Sequence, residues 1–266
     1  MVEFASHTPG TPSWVDLMSP DVDASAQFYS SVFGWETEDQ FDDDGNRVYV
    51  MFQKDGKAVA GLGGQPPGMG DMPAVWNAYM TTDDVAATTE KVTANGGLVV
   101  MPGMQVMSAG EMAIYTDPNG AAFSVWKAAD HIGAEIGNVD NTFSWAELNT
   151  RDVDAALPFY AAVFGWEYQS GAAMPGYNLI AGGTNDEGLG GIMAMAPDVP
   201  EMVPDHWAVY FSVADVAATV AKIEAAGGSI VMPAMPIPGV GTMVVAHDPA
   251  GGNFSVMQPE TPPADF

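Results

Sequence analysis

The sequence predicts an α+β fold made of four β-α-β-β-β units, two in each of two tandem domains. Three observations lead there. The segment FYSSVFGWE at Phe28 returns as FYAAVFGWE at Phe159, an offset of 131 residues. The same offset pairs Trp14 with Trp145, Trp76 with Trp207, Asp117-Pro118 with Asp248-Pro249 and Phe123-Ser124 with Phe254-Ser255. Within each copy, strand-like alternation and helix-like spacing follow in one order, and that order runs twice. A chain of 266 residues suits two domains of ordinary size. The boundaries read from the repeat are an N-terminal tail over 1–11, a first domain over 12–127, a linker over 128–141, a second domain over 142–258 and a C-terminal tail over 259–266.

The elements can be justified in order. SWVDLMS alternates and ends before Pro20, as a strand does. DVDASAQFYSSVFG has acidic N-cap candidates, apolar Phe28, Val32 and Phe33 at helical spacing, and Gly34 where a left-handed cap ends a helix. WETEDQF, RVYVMFQ and AVAGLGG follow as strands, separated by the turn signals DDDGN and KDGK. The second unit opens with the strand VWNAYMTT and continues with the helix DDVAATTEKVTANGG, closed by Gly96-Gly97. Strands LVVMPGMQVM, EMAIYTD and AAFSVWK complete it. The second domain repeats the pattern with two departures. Pro158 replaces Gln27 inside the first helix, where it should remove a backbone hydrogen bond or delay the helix start. GLGG at Gly61 recurs early, at Gly188. The Phe28-Tyr29 and Phe159-Tyr160 pairs read as helix-to-sheet core.

Composition narrows the partners. Seven Lys+Arg against 34 Asp+Glu give a formal net charge of −27. Such a field repels phosphate backbones and anionic lipid, so neither nucleic acid nor a membrane is an expected partner. No apolar run reaches the ~18 residues that cross a bilayer. MVEFASHTPGTPSW has neither a basic start nor an apolar stretch, so a cytoplasmic location is the expectation. The chain has no cysteine, which excludes disulfides and thiolate chemistry. GLGGQPPG opens no helix and so fails the context of a phosphate loop, and no dinucleotide or flavin is indicated.

With HxxxDxxxSxxFY-like openings, FGW helix ends and DPxG before each final strand, the chain resembles the vicinal oxygen chelate superfamily. This is the group of glyoxalases, bleomycin-resistance proteins and extradiol dioxygenases, and the likeness is to its two-domain actinobacterial, hydroxylase- or glyoxalase-like type. The resemblance spans residues 12 to 258. It implies that two units pair so that curled mixed sheets enclose a cleft. It also implies a divalent metal held by His, Gln or Glu on the first and last strands, chelating neighbouring substrate oxygens. Here those positions fall on Trp14 and Trp145, on Asn77 and Ala208, and on Ser124 and Ser255. None of these is a good ligand, so no metal or other cofactor is expected, although a divalent ion held by unusual ligands stays open. Of the four histidines, His7 and His131 read as solvated surface residues, and His206 and His247 as residues near the second cleft.

A strand's period of two puts Asp16 on the same face as Trp14, and Glu147 on the same face as Trp145. An acid in a partly apolar cleft has a raised pKa and can exchange protons, or it can hold the wall by accepting hydrogen bonds. Asp16 and Glu147 are therefore the candidate catalytic residues. Trp14, Asn77, Tyr79, Ser124, Trp145, Tyr210, Ser255 and His206 are the candidate ligand-binding residues. Methionines cluster beside both clefts, at Met101, Met104, Met107 and Met112, and at Met232, Met235 and Met243. They suit adaptable apolar surfaces or core filling. The expected function is sequestration of an apolar or cationic small molecule without the family metal. The alternative is an enzyme of the lyase, isomerase or oxygenase type acting on a small oxygenated metabolite. Two fused domains would make either an internal pseudo-dimer, monomeric in solution, or a homodimer.

Overall fold

A computed structural model describes residues 2–66, 68, 72–171, 174–181 and 189–260. The first domain contains β2 (Pro12–Ser19), α1 (Val22–Phe33), β3 (Glu36–Phe41), β4 (Arg47–Lys54) and β5 (Lys57–Gly64). Its second unit is β6 (Val75–Thr81), α2 (Val85–Ala94), β7 (Leu98–Val106), β8 (Gly110–Thr116) and β9 (Ala122–Ala128). The second domain repeats this as β11 (Thr142–Thr150), α3 (Val153–Phe164), β12 (Glu167–Ser170), β13 (Asn178–Ala181) and β14 (Gly190–Ala194). It then continues through β15 (His206–Ser212), α4 (Val216–Ala225), β16 (Ser229–Ile237), β17 (Gly241–His247) and β18 (Asn253–Pro259). Two short strands, β1 (Val2–Glu3) and β10 (Ile136–Gly137), pair and tie the N-terminal segment to the linker. No helix among the described residues is long and apolar enough to cross a membrane.

Each domain is one eight-stranded mixed sheet, ordered β3-β4-β5-β2-β6-β9-β8-β7 in the first domain and β12-β13-β14-β11-β15-β18-β17-β16 in the second. The two units of a domain join where their opening strands run antiparallel, β2 on β6 and β11 on β15. All four helices start on an aspartate, Asp21, Asp84, Asp152 or Asp215, whose side chain accepts from the backbone N–H three residues on. Gly34 and Gly165 both cap in the left-handed region, at φ 75°. Pro158 does not delay its helix. α3 starts at Val153 behind a capped Asp152, as α1 starts at Val22, because the N-cap outweighs one lost hydrogen bond well inside the helix.

The repeated FYxxVFGWE segment does more than join helix to sheet. One hydrophobic core runs through both domains, and both copies of this segment contribute to it. The Tyr29 hydroxyl donates to Asp248 Oδ2 of the other domain at 2.9 Å and accepts from Trp76 Nε1 of its own at 2.9 Å. The copy is reciprocal. Tyr160 donates to Asp117 Oδ2 at 3.2 Å, and Trp207 Nε1 donates to Tyr160 at 2.9 Å. Trp35 Nε1 reaches the Asn141 carbonyl, and Trp166 Nε1 reaches that of Gly10. A Cβ on Gly97 or Gly228 would stand 2.7 Å from the Thr116 or His247 carbonyl of its own domain and 2.9 Å from Phe159 or Phe28, a ring reaching in from the opposite domain.

Tyr29→Phe and Tyr160→Phe should each leave a buried indole N–H and a buried carboxylate oxygen short of a partner. Each is expected to cost about 1–3 kcal/mol, and by near-equal amounts, read as the shift in urea midpoint.

Candidate functional site

Alternation along β2 and β11 splits their side chains between two environments. Val15, Leu17, Ala146 and Leu148 enter the shared core beneath the helices. Trp14 and Asp16, and Trp145 and Glu147, project from the opposite, concave face. The register then sets their neighbours. Trp14 lies across from Tyr79 and Asp16 across from Asn77, while Tyr79 pairs with Ser124 on the parallel β9. In the second domain Trp145 lies across from Tyr210, Glu147 across from Ala208 and Asn149 across from His206, with Ser255 beside Tyr210. The structure thus brings together all ten residues singled out from sequence, five in each cleft.

Two tyrosines complete the clefts. Tyr49 and Tyr177 each lie between the indole and the acid, accepting from Trp14 Nε1 at 3.2 Å and from Trp145 Nε1 at 2.8 Å. Each ring covers a glycine of the neighbouring strand. A Cβ on Gly61 would stand 1.8 Å from the Tyr49 hydroxyl, and one on Gly191 would stand 1.9 Å from that of Tyr177. The structural counterpart of Gly61 is therefore Gly191, since Asp16 pairs with Gly61 and Glu147 with Gly191. The repeated GLGG motif misaligns them, and its Gly188 lies outside the described residues. These tyrosines escape the repeat because they are 128 residues apart rather than 131. A bulky ring facing a glycine across a strand pair was the available signal.

The two acids differ in which side chains surround them. Asp16 is buried and accepts from three side chains: Asn77 at 2.9 Å on Oδ1, and Tyr49 at 3.1 Å and Tyr79 at 3.0 Å on Oδ2. Glu147 is buried as well and accepts on Oε1 from Tyr210 at 2.8 Å and Asn149 at 3.3 Å, with the Tyr177 hydroxyl as a third hydrogen-bond partner. Burial raises both carboxyls above the usual carboxylate range, and the neighbouring tyrosines and asparagines only partly offset it. The same burial raises Tyr49, Tyr79 and Tyr210 well above an ordinary phenol, so all three remain donors. Ser124 Oγ is buried without a partner.

Cover is also unequal. Trp14 is 4% exposed, sealed with Tyr79, Trp126 and Ala134 in a small apolar cluster that Met51 and Met112 flank. Trp145 and Tyr177 are half-buried. The histidines correct the sequence reading in part. His131 is no surface residue: its ring stands edge-on to Trp14 at 4.6 Å, and burial lowers its pKa to about 4. His7 is half-buried too, with Nε2 2.8 Å from the Ala134 carbonyl. His206 Nδ1 lies 2.9 Å from the Pro204 carbonyl, and its charge slightly lowers the Glu147 pKa. His247 ends β17 against Asn253 at 3.4 Å. Several of the methionines, including Met104, Met107, Met232 and Met235, are exposed on or beside edge strands instead of lining a cleft.

The donor set does not fit a family-type metal centre. The ligand positions hold indole, amide, methyl and hydroxyl groups, and the nearest carboxylates are engaged by phenols. Among the described residues no three His, Asp or Glu side chains converge.

The chain belongs to the glyoxalase/bleomycin resistance protein/dioxygenase superfamily, whose model matches residues 11–125 and 142–256. It is 43% identical over 260 residues to the glyoxylase-named CFP32 of Mycobacterium tuberculosis, covering 97% of this chain and 98% of the relative. It is 38% identical over 277 residues to the anthracycline biosynthesis protein DauV of Streptomyces sp. strain C5, covering 97% and 95% respectively. The Mn(II)-bound glyoxalase of Novosphingobium aromaticivorans shares the fold, with a TM-score of 0.63 at 17% identity over 97% of this chain and 88% of that one.

Because both acids have folded pKa values above their unfolded ones, their contribution to stability is fully present below about pH 4, the unfolded carboxyl range. It is lost as pH rises through the raised values. The Asp16→Asn/Glu147→Gln double variant should therefore lose less stability than the wild type between about pH 4 and neutrality, measured by urea midpoints across pH. A second expectation concerns Gly191→Ala, which displaces the Tyr177 ring. It should cost about 1–3 kcal/mol and alter Trp145 fluorescence.

Proposed function

We propose that the chain is a small-molecule binding protein working through its second-domain cleft, and that its ligand is planar, aromatic and carries a hydroxyl or amine donor. The contrast between the two acids carries this reading. Asp16 has its oxygens filled by three donors beneath a covered tryptophan. Glu147 faces a methyl group at Ala208 where the first domain has an amide. A ligand donor can take that amide's place beside Glu147, with half-buried Trp145 two residues away as a stacking surface. A net charge of −27 favours collecting a cation. The anthracycline biosynthesis name of the Streptomyces relative suits a flat polycyclic ligand.

Under this reading the cleft needs no resident metal. Protein purified without chelator and dialysed against mixed divalent ions should retain none by mass spectrometry, and about one ion per cleft would overturn that part. The reciprocal contacts inside one chain take the place of a second copy, so sedimentation should give a monomer.

The binding test uses two probes, neutral 1,2-dihydroxyanthraquinone and cationic proflavine, titrated against tryptophan fluorescence. Saturable binding of at least one is expected. Trp145→Leu should weaken it about tenfold, equivalent to ~1.4 kcal/mol, and Glu147→Gln should weaken the cation more than the neutral probe. No saturable binding of either sinks the proposal. The raised Glu147 pKa favours one second reading, a metal-free acid–base enzyme. In that case a bound compound is converted to a product separable by chromatography on incubation, and Glu147→Gln binds it but leaves it unchanged.

A further inference from the structure

The first cleft is covered by the chain's own linker, and the manner of covering is informative. Leaving β9, the backbone is pinned at one end by Ala129 and His131 N–H donors to the Ala109 carbonyl, and by Asp130 N–H to Ser108. At the other end Ala134 donates to Ser13 and Glu135 donates to Ala58, whose own N–H donates to Glu135 Oε2. Gly133 makes the closing bend at φ 103°, and a Cβ there would lie 2.6 Å from the Ser13 carbonyl. Between these two anchorages the His131 ring is set among aromatics, its centroid 4.6 Å from Trp14 and 5.9 Å from Trp126, with both pairs edge-on. Trp126 Nε1 donates to the His131 carbonyl at 2.8 Å.

What the ring itself does there is unusual. Its Nε2 is buried without any hydrogen-bond partner, a costly arrangement for a polar atom. The backbone anchorage does not need the side chain, so the ring contributes shape and aromatic contact rather than hydrogen bonding. Burial keeps it neutral, in line with that role. Among the described residues nothing is bonded over Trp145 in this way.

We infer that residues 129–135 are a built-in occupant of the first cleft, and that the His131 ring holds the seat of a neutral, planar, imidazole-sized ring taken by shape and aromatic contact. The first cleft is then a latent binding site, filled in cis. This follows from the first domain alone and is independent of what the second cleft binds.

The test is chemical complementation in the full-length chain. His131→Gly deletes the ring and leaves both anchorages intact, so it should melt below the wild type. Imidazole, added at a pH where it is neutral, should raise its Tm saturably. The wild type, His247→Gly and the refilled His131→Leu should show no such rise. An imidazole response equal in His131→Gly and His131→Leu, or none in His131→Gly, overturns the inference. Should His131→Gly fail to fold, hydrogen exchange of the unaltered chain decides. The Ala134 and Glu135 amides should then exchange as slowly as those of β2, and fast exchange there overturns it.

Discussion

The rest of the structure depends on two buried phenols that each belong to one domain and are completed by the other. Tyr29 and Tyr160 stand between an indole N–H of their own domain and a carboxylate of the opposite one. Those carboxylates, Asp248 and Asp117, also build their own turns. On Oδ1 each accepts two backbone N–H groups, from Ala250 and Gly252 and from Asn119 and Ala121. Helix position, turn geometry and domain pairing are therefore one network. No part of it can relax without exposing a buried polar group in the others. The DPxG segment of one domain and the FYxxVFGW segment of the other are the two halves of this single joint.

This joint determines where the concave faces end up. α1 packs at the domain interface, β2 lies beneath it in the shared core, and the alternate side chains of β2 project into the cleft. The geometry of Trp14 and Asp16 is thus inherited from a contact on the far side of the sheet. The same holds for Trp145 and Glu147. With the scaffold held by the joint, the clefts are free to differ. A shorter acid with an amide across the sheet makes a closed set of hydrogen bonds. A longer acid with a methyl across the sheet takes its amide from Asn149 on its own strand instead. Linker cover in one cleft and a half-buried indole in the other complete the contrast.

Much of this was legible in the residues. The offset of the repeat placed the helices and strands, aspartates and glycines marked the helix ends, and the two-residue period put Trp14 with Asp16 and Trp145 with Glu147 on one face. Local chemistry decides such features, so sequence carries them. Tyr49 and Tyr177 stayed hidden because hairpins of different length shift them out of the repeat, and the glycines they cover are neighbours by strand pairing alone. His131 read as a surface residue for a similar reason. A linker has no periodicity to show which way its side chains turn, and its burial comes from the sheet it lies against.

By itself, then, the sequence determined the duplicated architecture, the order of strands and helices within each repeat unit, and the residue types that stand at Trp14, Asn77, Ser124 and their copies, while the short strands β1 and β10 in the tail and linker went unread. Those follow from spacing, capping and side-chain identity, which act within a few residues. The tertiary structure decided that the domains share one core, that the tyrosine of one completes the turn of the other, and that among the described residues the first cleft is capped while Trp145 of the second stays half-buried. These outcomes depend on contacts between residues far apart in sequence, from 43 positions for Tyr160 and Asp117 to 219 for Tyr29 and Asp248. Their energies arise from desolvation and hydrogen-bond closure, which exist only once the chain has brought the two surfaces together.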